Sequence, residues 1–411
     1  MAASRYALGS IRRITRAVSL IISLFLIAGA ATAASHAQTA AKKDDGFQTS
    51  ATSAILIDAE GDSVLFEKNA DELVAPASLA KLMTTEVVFN EIKEGRLKLD
   101  QEFVISEYAW RHGGAPSRTS SMFAPIKSRV RVQDLLYSVI VQSGNDACIA
   151  LAEGISGNER AFADKMTQRA RALGLSKSVF TNSTGLPDPE LKVTVRELAD
   201  LARYIIVTYP DFYKIYNERE FTWNKIRQTN RNPLLAMSLG ADGLKTGYTE
   251  DAGYGIAGSA VQSGFRQIMV AVGFKHDKER ADESRRMLEW GFNNFESRTL
   301  FNAGQTVAEA KVYGGDKGYV SLVTQKPIRI MVQKNGSEKI TGRVSYQGPV
   351  AVPVTQGQEI GTLRISRNDT VALEVPLHAG ENAIQGSLGN RTWDAASEVV
   401  INLVRAGLKK L

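Results

Sequence analysis

"APASLAKLMTTE", Ala75–Glu86, is the stretch on which the reading of this chain turns. It places Ser78 and Lys81 three residues apart, just after Pro76, with Leu79, Leu82, Met83, Val87 and Phe89 at helical spacing. The spacing predicts a helix from Ser78 to about Glu94. On a helix, positions i and i+3 lie on adjacent turns of one face, so the hydroxyl and the amine can meet. A serine is a poor nucleophile until a neighbouring base takes its proton. The first helical turn carries free N–H groups and partial positive charge, which suit an oxyanion at the Ser78 N–H. Lys81 can act as the base only when neutral, and burial beside other cations favours that form. Taken alone, Ser-x-x-Lys also describes an ordinary helix start capped by serine.

Two further stretches bear on the choice. "QSGNDA" (Gln142–Ala147) offers Ser143 as a proton relay and Asn145 as an amide that can hold a peptide backbone or the lysine. Its plain alternative is a turn or a cap. "GLKTGYTEDAGY" (Gly243–Tyr254) brings Lys245, Thr246 and Gly247 into the start of a strand. The cation and hydroxyl suit a terminal carboxylate, and the glycine leaves a bare strand edge for an extended peptide. The plain alternative there is a loop-to-strand turn.

Ser-x-x-Lys, Ser-x-Asn and Lys-Thr-Gly in this order form the motif set of penicillin-binding proteins and serine β-lactamases. The text around them, with "VQSGNDACIALAE", "FTWNKIRQTNRNPLL" and "ERADESRRMLEWGFNNFE", resembles the low-molecular-mass D-alanyl-D-alanine carboxypeptidases, penicillin-binding protein 5/6-like. The resemblance covers most of residues 48–296. It implies that Ser78 attacks the penultimate D-alanine of a peptidoglycan stem peptide and that Lys81 takes the proton. It further implies that Ser143 protonates the leaving group, that Asn145, Thr246 and Gly247 hold the peptide, and that Lys245 faces its carboxylate. The backbone N–H groups of Ser78 and Tyr248 would form the oxyanion hole. Arg280 falls where the family often has an arginine near that carboxylate. Tyr248 stands where several members have histidine, so any role for an imidazole is lost. β-Lactams are expected as covalent inhibitors.

Three other readings share the motifs. A class A β-lactamase needs a Glu-x-x-Asn element between the second and third motifs, and no glutamate between Asn145 and Lys245 stands three residues before an asparagine. A D,D-endopeptidase would cut crosslinked peptides with the same residues. A catalytically silent scaffold or sensor would not need Ser78, Lys81 and Lys245 intact. No metal-ligand spacing is present, and no cofactor is expected.

The 411 residues, 44% hydrophobic and 23% charged, allow two or three domains. Residues 1–37 combine four arginines with the apolar run Ala17–Ala30 and small-residue sites, the pattern of a signal peptide cut before Gln38. Without them the net charge falls from +6 to +2, so the basic balance is no sign of a nucleic-acid partner. Export to the periplasmic face of the cytoplasmic membrane is the expectation. Cys148, the only cysteine, forbids an internal disulfide and sits in an apolar pattern.

Residues 38–47 read as a tether. Residues 48–296 read as an α/β, transpeptidase-like domain, an antiparallel sheet built from hairpins with flanking helices, among them 132–153, 159–173 and 195–209. The stretch Arg111–Arg131 reads as a loop. Residues 298–390 read as a small all-β domain. In 393–411, Trp393, Val400, Leu403 and Leu408 share one face, a pattern expected of an amphipathic helix lying on a membrane surface.

Overall fold

The computed structural model describes residues 46–60, 63–334, 336, 338–367 and 370–387. The expected signal peptide (1–37), nearly all of the tether (38–47) and the terminal helix (393–411) lie outside the described residues. Among the described residues no helix is long and apolar enough to cross a membrane.

The first sheet follows from five strands: β1 (Ser53–Asp58), β2 (Val64–Lys68), β7 (Ala241–Thr249), β8 (Gly253–Gln262) and β9 (Phe265–Phe274). They lie in the order β2-β1-β9-β8-β7, every pair antiparallel. Three of the four joins are hairpins; the fourth, β1 on β9, brings the two ends of the domain together. Eight of the ten β9 residues are buried and neither face of the strand is spared. Even-numbered Ile268, Val270 and Val272 enter the helical core with Val195, Leu198 and Ile205. Odd-numbered Gln267 faces the opposite helix, where a Cβ on Gly291 would come within 2.3 Å of its amide. A sheet buried on both sides reads as a continuous apolar run.

The other half is helical. Helix α1 (Lys81–Lys93) is buried without a break from Lys81 to Phe89, so it is a central helix with no solvent face over its first half. Around it stand α2 (Glu107–Gly113), α3 (Val132–Tyr137), α4 (Asn145–Ser156), α5 (Glu159–Ala172) and α6 (Val195–Thr208). The sheet's outer helix is α8 (Asp277–Asn294), with the single turn α7 (Pro210–Tyr213) between.

Three local expectations are corrected. The pattern 132–153 is not one helix: α3 passes into a π-helical turn at Ser138–Gln142, and the chain breaks at Ser143 before α4. The break is a left-handed residue, Ser143 at φ +67°, which no helix continues through. The stretch 111–131 is not all loop. It holds the end of α2, and its strand β4 (Arg129–Arg131) pairs with β3 (Glu102–Val104). Ser78 belongs not to the α-helix but to a 3₁₀ turn, Ala77–Ala80, that feeds it. A further hairpin, β5 (Glu220–Trp223) with β6 (Ile226–Thr229), was not anticipated.

After α8 the chain enters β10 (Phe295–Phe301) directly and builds the all-β part. A six-stranded sheet and the β10 ribbon close over Val312, Leu322, Ile330, Leu363, Ile365 and Leu377. Trp290 joins the two parts, edge-on to Phe66 at 6.2 Å and to Phe295 at 5.3 Å. Arg367 donates to the Val64 carbonyl at 3.1 Å, and Arg329 pairs with Glu60 at 3.3 Å.

Candidate active site

The turn carrying Ser78 is held under strain. Ala77, just before it, has φ +48°, a left-handed value rare for a residue with a side chain. Behind it the segment "TNSTGLPDP" passes so close that a Cβ on Gly185 would lie 1.9 Å from the Ala77 carbonyl oxygen. Asn182 fixes that segment by accepting from Thr184 N (3.1 Å), Thr184 Oγ1 (2.9 Å) and Gly185 N (2.7 Å). Thr184 in turn presents its carbonyl to Lys81, which donates to it at 2.5 Å and to Ser78 Oγ at 2.9 Å. Lys81 is 1% exposed. Burial disfavours its ammonium and lowers its pKa to about 8. Cys148, buried nearby, has its thiol pushed up to about 12 by the same cause, so it is not a nucleophile.

The break before α4 positions the second motif. Ser143 Oγ is buried, with no hydrogen-bond partner in the protein. Asn145 donates through Nδ2 to Thr119 Oγ1 at 2.9 Å, and its backbone N–H donates to the Ser120 carbonyl at 2.7 Å. The next residue, Asp146, is the clamp. Its carboxylate accepts from Ser121 Oγ (2.7 Å), Met122 N (2.9 Å) and Ala124 N (3.3 Å), drawing the segment 119–124 onto the helix mouth. Burial nevertheless raises the Asp146 pKa, the bonds offsetting it in part.

The third motif lies inside a strand, not ahead of one: Lys245, Thr246 and Gly247 are central to β7, the sheet's edge. A Cβ on Gly247 would lie 3.1 Å from Ser78 N and 3.1 Å from the Pro76 carbonyl. The bare strand therefore runs alongside the serine turn. Lys245 is buried, donates to the Thr246 carbonyl at 3.0 Å, and has its pKa driven well below normal, first by burial and then by Lys81 and Arg231. Ser78, Ser143, Asn145, Thr246, Gly247, Tyr248 and Arg280 line one cleft of about 880 Å³. Lys81 and Lys245 stand buried behind its wall, so all nine residues singled out in the sequence meet at one place.

Residues 36–276 match the family model for D-alanyl-D-alanine carboxypeptidase. The chain belongs to the D-alanyl-D-alanine carboxypeptidase family. Residues 295–383 match the model for the penicillin-binding protein 5 C-terminal domain. The D-alanyl-D-alanine carboxypeptidase DacC of Escherichia coli (strain K12) is 38% identical over 374 residues, 90% of this chain and 92% of that one. DacA of Haemophilus influenzae is 37% identical over 354 residues, covering 84% of this chain and 88% of its own. The crystal structure of penicillin binding protein 5 from Haemophilus influenzae superposes with a TM-score of 0.74 at 36% identity, covering 82% of this chain and all but 1% of that one. Penicillin-Binding Protein D2 from Listeria monocytogenes, solved in an ampicillin-bound form, is 28% identical with a TM-score of 0.54, over 60% of this chain and 99% of its own. As a member of the D-alanyl-D-alanine carboxypeptidase family, the chain is a serine peptidase.

This carboxypeptidase site also draws on residues that sequence reasoning passed over. Thr184 and Gly185 support the serine turn, and their only signal was a turn-rich composition. Arg231 lines the cleft and donates to Ser120 Oγ at 2.7 Å. It lies in the quoted stretch "FTWNKIRQTNRNPLL" but had no motif of its own. Thr119, Ser120, Tyr254 and Asp277 also reach the cleft, and only folding brings them there.

Proposed function

We propose that the chain removes the terminal D-alanine of peptidoglycan stem pentapeptides through an ester on Ser78. The observation that carries the assignment is the 2.9 Å contact between Lys81 Nζ and Ser78 Oγ on a buried amine. As a neutral amine, Lys81 keeps an N–H on the Thr184 carbonyl and turns its lone pair to the Ser78 hydroxyl. Ser78 Oγ then bonds to the carbonyl carbon of the penultimate D-alanine while its proton passes to Lys81. The oxyanion sits against the N–H groups of Ser78 and Tyr248, which the Gly247 approach brings alongside. The C–N bond breaks, and the departing amine takes a proton from Lys81 through Ser143, whose buried hydroxyl has no hydrogen-bond partner in the protein and is left available for the relay. Water then attacks the ester, returning Ser78 and releasing the shortened peptide.

The terminal carboxylate belongs beside Lys245, with Arg231 and Arg280 close enough to depress that lysine's pKa. A carboxylate there holds Lys245 charged. Asn145 and the β7 edge hold the peptide backbone. β-Lactams, which carry a carboxylate beside a strained amide, acylate Ser78 by the same route. The test is free D-alanine from a stem pentapeptide, which Ser78→Ala abolishes in well-folded protein. Mass spectrometry after penicillin treatment places the adduct on the Ser78 peptide; an adduct elsewhere overturns the assignment.

The protein works at the periplasmic face of the cytoplasmic membrane, exported by residues 1–37 and held by residues 393–411. The sequence pattern of that last segment, with Trp393, Val400, Leu403 and Leu408 at helical spacing, supports this. Ending the chain at Thr392 releases the protein from membranes and leaves activity on soluble peptide intact; retention on liposomes counts against the anchor.

A further inference from the structure

Tyr248 occupies the position after Lys-Thr-Gly, and its side chain is half exposed at the cleft, 51%. It does not stand alone. Tyr248 is the cross-strand partner of Tyr254, on β8, and the two rings stack at 4.2 Å with 31° between their planes. The Arg280 guanidinium lies over the Tyr254 ring at 5.6 Å. Arg280 is 6% exposed, bonds Asp277 through one terminal nitrogen, and keeps Nε buried without a partner. A guanidinium fixed at one nitrogen and over one ring face has its remaining N–H groups set in direction.

We propose that Tyr248 is a positioning residue. Its ring braces Tyr254, Tyr254 braces the Arg280 plane, and the free N–H edge of Arg280 is thereby aimed at the substrate's terminal carboxylate. The stack takes the place of a polar side chain after the third motif. It acts on recognition of the C-terminus and not on the chemistry at Ser78. This inference rests on the carboxypeptidase reading above.

The experiment is a double-mutant cycle on the full chain, with Tyr248→Ala, Arg280→Ala and the pair. Steady-state D-alanine release is measured for each, and thermal unfolding checks the fold. Tyr248→Ala raises KM about tenfold with little change in kcat, the scale of one lost cation–aromatic or charge-assisted contact. In the Arg280→Ala background the same change moves KM less than about twofold. Tyr248→Phe keeps the ring and restores KM toward the parent value. If Tyr248→Ala leaves KM unchanged, or raises it equally in both backgrounds, the brace is overturned and the parent's activity leaves the carboxypeptidase reading standing. If the parent releases no D-alanine, both fall together.

Discussion

The proposed chemistry depends on one amine, Lys81, being uncharged for part of the time. Its pKa of about 8 comes from burial, which disfavours the ammonium. Because the active form is the deprotonated one, penicillin acylation of the free enzyme rises with pH, roughly tenfold per unit below the inflection, and levels near pH 8. A profile flat from pH 6 to 9 would show that Lys81 is not the base. Lys81→Ala lowers acylation by about 10²- to 10⁴-fold, the usual range for losing a positioned base. A smaller residue carries as much of the geometry. Asp146 binds three donors of the segment 119–124, so Asp146→Ala frees that segment from α4 and costs about 2–3 kcal/mol, read from denaturant unfolding. Thr119, which receives the Asn145 amide, moves with it, so the variant loses acylation rate as well as stability.

At the scale of elements, the site is made by places where regular structure stops. The 3₁₀ turn before α1, the left-handed Ser143 before α4 and the bare edge of β7 each present a polar group that a continuous helix or paired strand would hide. Gly185 shows how little room there is. At φ +79°, with the Ala77 carbonyl 1.9 Å from a built Cβ, Gly185→Ala strains both segments. The expected cost is about 1–3 kcal/mol, measured as a lower midpoint of unfolding, together with slower acylation because the Ser78 turn shifts. These interruptions also mark what the sequence could tell. The apolar periodicity of Leu79–Phe89 and the hairpin of residues 253–274 were legible because many residues repeat one signal. Ser143 was recognised as a chemical group, yet the helix break that exposes it was not, since Val132–Glu153 keeps its apolar spacing across the gap. Thr184 and Arg231 lay too far from the motifs in sequence for any local pattern to assign them. Their places come from long-range packing.

On the scale of the whole molecule, two bodies meet at a small seam of Phe66, Trp290 and Phe295 with two arginine contacts. Residues 36–276 and 295–383 match two separate family models, so the two bodies are distinct units. A chain ending at Asn294 is therefore expected to keep penicillin acylation within about threefold, as independent domains joined by a modest interface do. Loss of all acylation from soluble, folded protein would make the β-rich part a component of the site. The division between the bodies was legible as a change in texture near Ser297. The seam was not, because Phe66 and Trp290 are ordinary apolar positions until the chain is folded. One feature bears on how such an enzyme changes over time. The serine and its amine hang from the end of a helix that touches no solvent for nine residues, so any shift of the pair must be met by the surrounding core at once. Changes in drug sensitivity or substrate choice are therefore expected at the rim, along the strand edge and the segments 118–124 and 248–254, where a new side chain meets solvent before it meets the core.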